Sequence, residues 1–226
     1  MNISIHDMLE WFQSSCMILS LCFSLPLINN NKVVKYMQHF YWYSIVAFLL
    51  VLLKLMSRWI EFPSPNTITL IGNYSILFHF IFLSLFILFL IPGKKSMTVP
   101  FVLFILVIIA TLYCLISFKQ GQQNSVSYAI ANLGLVFYCL TYFHHYFQEL
   151  PRSALLKEPS FWVITGVLFS MSTSIPINAL HDYLRVDKVL ALQEKKDLFS
   201  IAYISYGTLH LFLIKAYLCS VNIKTT

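Results

Sequence analysis

Charge is scarce in this sequence. Asp, Glu, Lys and Arg make up 11% of the 226 residues, where a soluble globular domain carries about 25%. A chain so short of charge cannot cover a water-facing surface, and this excludes an ordinary soluble domain. The 58% hydrophobic content and the mean hydropathy of +0.74 point to lipid as the main solvent. What charge there is leans basic, with 15 Lys and Arg against 9 Asp and Glu and a net charge of +6. These basic residues sit mostly between apolar runs, where they fit membrane topology and contact with anionic headgroups; no nucleic-acid partner is expected.

Several chemical patterns are missing as well. The five cysteines, Cys16, Cys22, Cys114, Cys139 and Cys219, lie in or beside apolar segments and form no CxxC pair. They read as small buried hydrophobes rather than a disulfide framework. A cleavable leader is not expected, because Asp7 and Glu10 stand where a basic n-region would precede the first apolar run. No Asp or Glu falls inside any apolar run. That argues against proton-coupled transport through a carboxylate relay, and it removes the counter-ions that a retinal Schiff base needs. Lys215, moreover, stands near the end of the last apolar run and not at its middle. Neither HExxH nor HxxxH occurs, so the usual spacing of a zinc hydrolase is lacking.

What the sequence does contain is a series of continuous apolar runs, each near the length of about 20 residues that a membrane-spanning helix needs. They predict an all-α polytopic membrane protein, a bundle of about seven transmembrane helices forming a single domain over residues 1–226. The helices are expected at Trp11–Ile28, Phe40–Trp59, Ile68–Ile91, Val99–Phe118, Val126–Phe147, Phe161–Leu180 and Leu198–Ser220. Turn-forming residues separate them: Asn29 to Asn31, the EFPSPN segment from Glu61, Pro92 and Gly93, KQGQQNS from Lys119, and Pro151 and Pro159. The long polar link from His181 to Asp197 is read as room for a short interfacial helix with Val186, Val189, Leu190 and Leu192 on its apolar face. A membrane barrel would show shorter, alternating segments.

With the N-terminus outside, Lys32, Lys35, Lys94, Lys95, Arg152, Lys157, Lys215 and Lys224 lie inside. Lys54, Arg58, Lys119, Arg185, Lys188, Lys195 and Lys196 then lie outside, the last four in one long link among Asp182, Asp187, Glu194 and Asp197. Discounting that link, the basic excess is inside, and the expected topology is N-terminus outside and C-terminus inside. Helices 3 and 7 share a Tyr, Leu and His (Tyr74, Leu77, His79 and Tyr206, Leu209, His210), but the histidines are out of step and no internal repeat follows.

Polar groups in lipid are costly and mark candidate sites. Asn73, Tyr74, His79, Asn132, Tyr138, Asn178, Tyr206 and His210 are the candidate ligand-pocket residues, drawn from helices 3, 5, 6 and 7. His79, His210, His144 and His145 are weak metal-ligand candidates; no catalytic residue and no cofactor is assigned. The Ser170–Ser174 run is read as bonding its own backbone or a neighbouring helix, with Pro176 making a kink. His144 and His145 fit interfacial anchoring beside Tyr142, Tyr146 and Gln148, and Lys215 fits snorkelling.

Three stretches carry a resemblance: LLKEPSFWVITGVLFSMSTSIP from Leu155 to Pro176, NYSILFHFIFLSLF from Asn73, and YFHHYFQEL from Tyr142. The best part is Glu158-Pro159-x-Phe161-Trp162 ahead of a helix containing Gly166. Together these resemble a family of small seven-helix integral membrane proteins from Bacteroidota-like bacteria, itself similar to the sensor regions of membrane histidine kinases. The resemblance implies a bacterial cytoplasmic (inner) membrane but carries over no catalytic residue. Three functions are expected in this order. The first is a stand-alone sensor or accessory module that binds a small apolar or amphipathic ligand, or a protein partner, in its bundle. The second is an intramembrane lipid-modifying hydrolase, with or without a metal, and the third a small-solute transporter.

Overall fold

The computed structural model describes residues 5–25, 35–60, 65–91, 98–117, 124–149, 152–186 and 192–222. These form seven α-helices: α1 (Ile5–Ser24), α2 (Lys35–Ile60), α3 (Pro65–Leu90), α4 (Thr98–Ser117), α5 (Ser125–Glu149), α6 (Pro159–Val186) and α7 (Leu192–Asn222). A 3-10 turn, Arg152–Lys157, links α5 to α6. No strand occurs among the described residues. This is the architecture lipid demands, since a helix satisfies every interior backbone N–H and C=O within its own segment. Six helices, α2 to α7, are long and apolar enough to cross a membrane. α1 falls short of that measure because Asp7, Glu10, Gln13, Ser14 and Ser15 occupy its first half.

Every helix reaches beyond the span expected for it except at the C-terminal ends of α1, α3 and α4, and the reason lies in what hydropathy detects. Apolar runs report the part of a helix inside hydrocarbon, whereas the backbone keeps its hydrogen-bond ladder on into the headgroup region. α7 thus begins six residues before Leu198, taking in the charged sequence QEKKD. The same effect corrects the expected interfacial helix. α6 runs to Val186 and α7 starts at Leu192, so the polar link extends two long helices; Val189 and Leu190 lie outside the described residues, as do Asn29 to Asn31, Pro92 and Gly93.

Local chemistry sets several ends. Pro65 and Pro159 open α3 and α6, the position at which a missing N–H costs nothing. Asn124 caps α5, its Oδ1 accepting the Ser127 N–H at 3.0 Å. α6 continues through Pro176 as one helix. The Ser/Thr run before it behaves as expected: Ser174 donates to the Ser170 carbonyl (2.7 Å), and Thr173 bonds back to Phe169 and across to Ser205 of α7 at 2.7 Å.

The main packing seams join α6 to α7, α1 to α7 and α5 to α6. With α1 against α2, α2 against α3 and α3 against α5, six helices close a ring, and α4 braces it from outside against α3 and α5. α4 accordingly buries only a narrow stripe, Pro100, Val107 and Thr111, and leaves Val102, Ile105, Leu106, Ile109 and Ile116 exposed as a lipid-facing surface. α6 and α7 meet closely at Gly166, where an added Cβ would stand 2.6 Å from Phe212 Cβ. Only a glycine lets α6 and α7 meet there.

One end of the ring is filled by rings of another kind. Phe40 is fully buried and packs edge-on against Tyr43, Phe82 and Phe86. Tyr142 stacks on Tyr146 and donates to Ser160 Oγ at 3.0 Å. Trp162 stacks on Phe212, donates to the Leu156 carbonyl, and receives the Lys215 ammonium at 5.6 Å from its ring centre. Lys215, read as snorkelling, therefore has an aromatic partner.

Candidate functional site

At the other end the ring stands open around a cavity of about 490 Å³, within the range of about 300–1,000 Å³ common for small-molecule sites. All six ring helices line it, and α1, α2, α3 and α7 do so with residues at helical spacing. α2 presents Tyr43, Ala47, Leu50 and Val51; α3 presents Thr69, Gly72, Asn73 and His79; α7 presents Ala202, Tyr203, Tyr206, Leu209 and His210. α1 adds Gln13 and Met17, α5 adds Tyr128, and α6 adds Ile177 and Asn178. Small residues (Ala47, Gly72, Ala202) stand where bulky ones would have filled the space.

The wall on the α3 side is held by a dense set of hydrogen bonds. Asn73 Oδ1 accepts the Asn124 N–H at 3.0 Å, and Asn124 Nδ2 donates to the Cys114 carbonyl at 2.7 Å. The Gly72 carbonyl accepts from both Tyr128 OH (2.5 Å) and Ser75 Oγ (2.6 Å). Those bonds tie α3, α5 and the end of α4 into one rigid panel. Deeper in, His79 Nδ1 pairs with Tyr43 OH at 3.1 Å, joining α2 to α3. His210 of α7 lines the same cavity. It is 3% exposed, and its Nδ1 has no hydrogen-bond partner. Among the described residues, none of the lining side chains is Asp, Glu, Lys or Arg.

Of the eight candidate pocket residues, Asn73, His79, Asn178, Tyr206 and His210 line the cavity. Tyr74 is half-exposed on the outer face of α3. Tyr138 is buried away from the cavity and donates its hydroxyl to the Pro100 carbonyl at 2.8 Å, a brace between α5 and α4. Asn132 is fully buried with neither amide atom hydrogen-bonded. Its depth follows from helix register. Ten residues back along α5 from the Tyr142–Ser160 bond, and ten on along α6, Asn132 comes level with Ser170. Three residues from the Thr173–Ser205 bond, Ser170 comes level with Thr208, within about 3 Å of the depth of His210 at 1.5 Å per residue. Ser170 Oγ is also buried without a partner. A layer of unsatisfied polar atoms thus crosses the bundle at one depth.

The four histidines do not converge. His144 and His145 lie near the end of α5, their rings 5.6 Å apart, with His144 beside Gln148. Twenty residues from the Asn124 cap place them roughly 30 Å along the bundle from the α3 panel. Among the described residues no group of three His, Cys, Asp or Glu is arranged to hold a metal ion. Gln13, Tyr43, Thr69, Ser75, Tyr128 and Tyr203 complete the polar lining without having been singled out in the sequence. For Ser75 and Tyr203 a signal was present as helical spacing from His79, Tyr206 and His210, but Gln13, Tyr43 and Tyr128 stand on other helices, and a tyrosine in an apolar run looks the same whether it faces a cavity or lipid.

Comparisons with protein-family models, curated proteins and solved structures return no match for the chain. Its site is accordingly read from its own geometry.

Proposed function

We propose that this integral membrane protein is a sensor or accessory module that binds a small, largely apolar ligand inside its helical ring. The observation that carries this reading is the cavity of about 490 Å³, walled by a braced polar panel on one side and by apolar side chains of α1 and α2 on the other. A packed bundle without a ligand would have no reason to keep Ala47, Gly72 and Ala202 around one cavity that two histidines also line. The expected topology, N-terminus outside in a bacterial cytoplasmic membrane, puts the cavity in the outer half, where an extracytoplasmic signal would reach it. The resemblance to small seven-helix proteins related to kinase sensor regions supports the same role, in which ligand occupancy would alter how the bundle meets a protein partner.

Native mass spectrometry of the protein released gently from its membrane tests the reading. A reproducible small-molecule adduct is expected, diminished when Ala47→Trp fills the cavity. Adduct-free protein from several lipid backgrounds, together with unchanged behaviour of Ala47→Trp in its host, would sink it.

A further inference from the structure

We propose that the ligand is an uncharged amphiphile, a hydroxyl- or carbonyl-headed molecule with a hydrocarbon tail, whose polar head is anchored by His210 and His79. This rests on the cavity being a ligand site, and it adds what chemistry enters.

Two observations combine. The first is the lining itself, which among the described residues offers hydrogen-bonding groups but no formal charge. A carboxylate, sulfonate or ammonium taken into such a space would lose its water without gaining a counter-charge. A hydroxyl or carbonyl needs only one or two hydrogen bonds. The second is His210, nine-tenths buried and more, which lines the cavity and whose Nδ1 has no hydrogen-bond partner. A neutral imidazole offers one donor and one acceptor, so this nitrogen is a hydrogen-bonding position in want of a ligand atom. His79, in the same lining, spends Nδ1 on Tyr43 OH, which fixes its ring and leaves Nε2 for a second contact. Met17, Leu50 and Val51 extend the space away from the histidines and fit a hydrocarbon chain. A hydroxyl or carbonyl head held between two imidazoles, with its tail along α1 and α2, satisfies every one of these groups.

The test uses three photoreactive probes with the same diazirine-bearing dodecyl chain and different heads: hydroxyl, sulfonate and trimethylammonium. Each is applied to the full protein in lipid membranes, and labelled peptides are quantified by mass spectrometry. Labelling of the lipid-facing α4 peptide serves as the internal measure of membrane partition. The hydroxyl probe is expected to label the α2 and α7 cavity residues at least about ten-fold more than either charged probe after that normalisation. His210→Leu should lower the signal by about the same factor, with α4 labelling unchanged, and His210→Gln should restore much of it. Equal or stronger cavity labelling by a charged head would overturn the ligand class while leaving the cavity a binding site. Cavity labelling no higher than α4 for all three probes would overturn the binding site as well. Full labelling in H210L would remove His210 as the anchor. The head-group series on the natural chain decides the class independently of any variant.

Discussion

Where α5 ends and α6 begins, aromatic rings occupy the space between the helices; where α5 begins and α6 ends, the same ring of helices surrounds a cavity of about 490 Å³. The two halves use one scaffold and differ in residue size. On α2, Phe40 fills its level completely, and two turns later Ala47 leaves its level open. On α3 the contrast runs from Phe82 and Phe86 to Gly72. Lipid offers helices little hydrophobic drive to associate, so dense packing and interhelical hydrogen bonds must hold the bundle. The aromatic half supplies the packing. The cavity half, lacking it, is braced by the hydrogen bonds of Asn73, Asn124 and Tyr128. On the proposed function, stability and binding would reside at opposite ends, and substitutions at the two ends should separate them.

The largest effect is expected in the aromatic half. Phe40→Ala removes a fully buried ring with three aromatic neighbours, and should cost about 3–5 kcal/mol. Val51→Ala at the cavity wall should cost about 1 kcal/mol or less, because part of its surface meets no packed neighbour. Thermal unfolding of both variants in the same lipid measures the contrast; similar losses would mean that the cavity is packed space. Next comes the seam between halves. Gly166→Val forces a Cβ against Phe212 Cβ, an atom that moves only with the α7 backbone. A loss of about 1–3 kcal/mol is expected, read as a lower unfolding temperature, and a neutral result would show that α6 and α7 do not approach as described.

The aromatic half and the cavity half were unequally legible in the sequence. Continuous apolar runs revealed every helix, since a run such as Val99 to Ser117 has no alternative in lipid. Their ends were misjudged where charged residues continue a helix beyond the hydrocarbon, as at Gln193 to Asp197 in α7. Within the site, Tyr206 and His210 are four apart and necessarily share a face, so their convergence was readable. Tyr74, next to Asn73, is turned about 100° from it and faces outward. Tyr138 was misplaced for a different reason: its hydroxyl is committed to the Pro100 carbonyl, a contact between helices that no spacing within α5 encodes. Gln13 and Tyr43 were overlooked because the ring closes through α1 and α2, and ring closure is a property of packing between helices.

Between the halves lies the layer of orphaned polar atoms, where a substitution should stabilise. Asn132 is fully buried with both amide atoms unpaired. Replacing such a group by an apolar one of similar size removes a desolvation cost, so Asn132→Leu should raise stability by about 1–2 kcal/mol. A measured loss of that size instead would mean that the amide has a partner in the membrane, and would make Asn132 part of the site.

The smallest stability change is expected at the residue assigned the largest role in binding. His210 Nδ1 makes no bond that His210→Leu could break, and Leu is close to imidazole in volume. Unfolding should therefore shift by no more than about 0.5 kcal/mol, in contrast with Phe40→Ala, even as labelling by the hydroxyl probe is lost. The combination discriminates between two meanings of a buried histidine. One that serves packing loses stability and binding together when replaced. One that is held ready for a ligand loses binding alone, because its unpaired nitrogen contributes nothing until the ligand arrives. A large destabilisation of His210→Leu in ligand-free protein would assign His210 to the first kind, and the polar half of the bundle would then be structure in its own right.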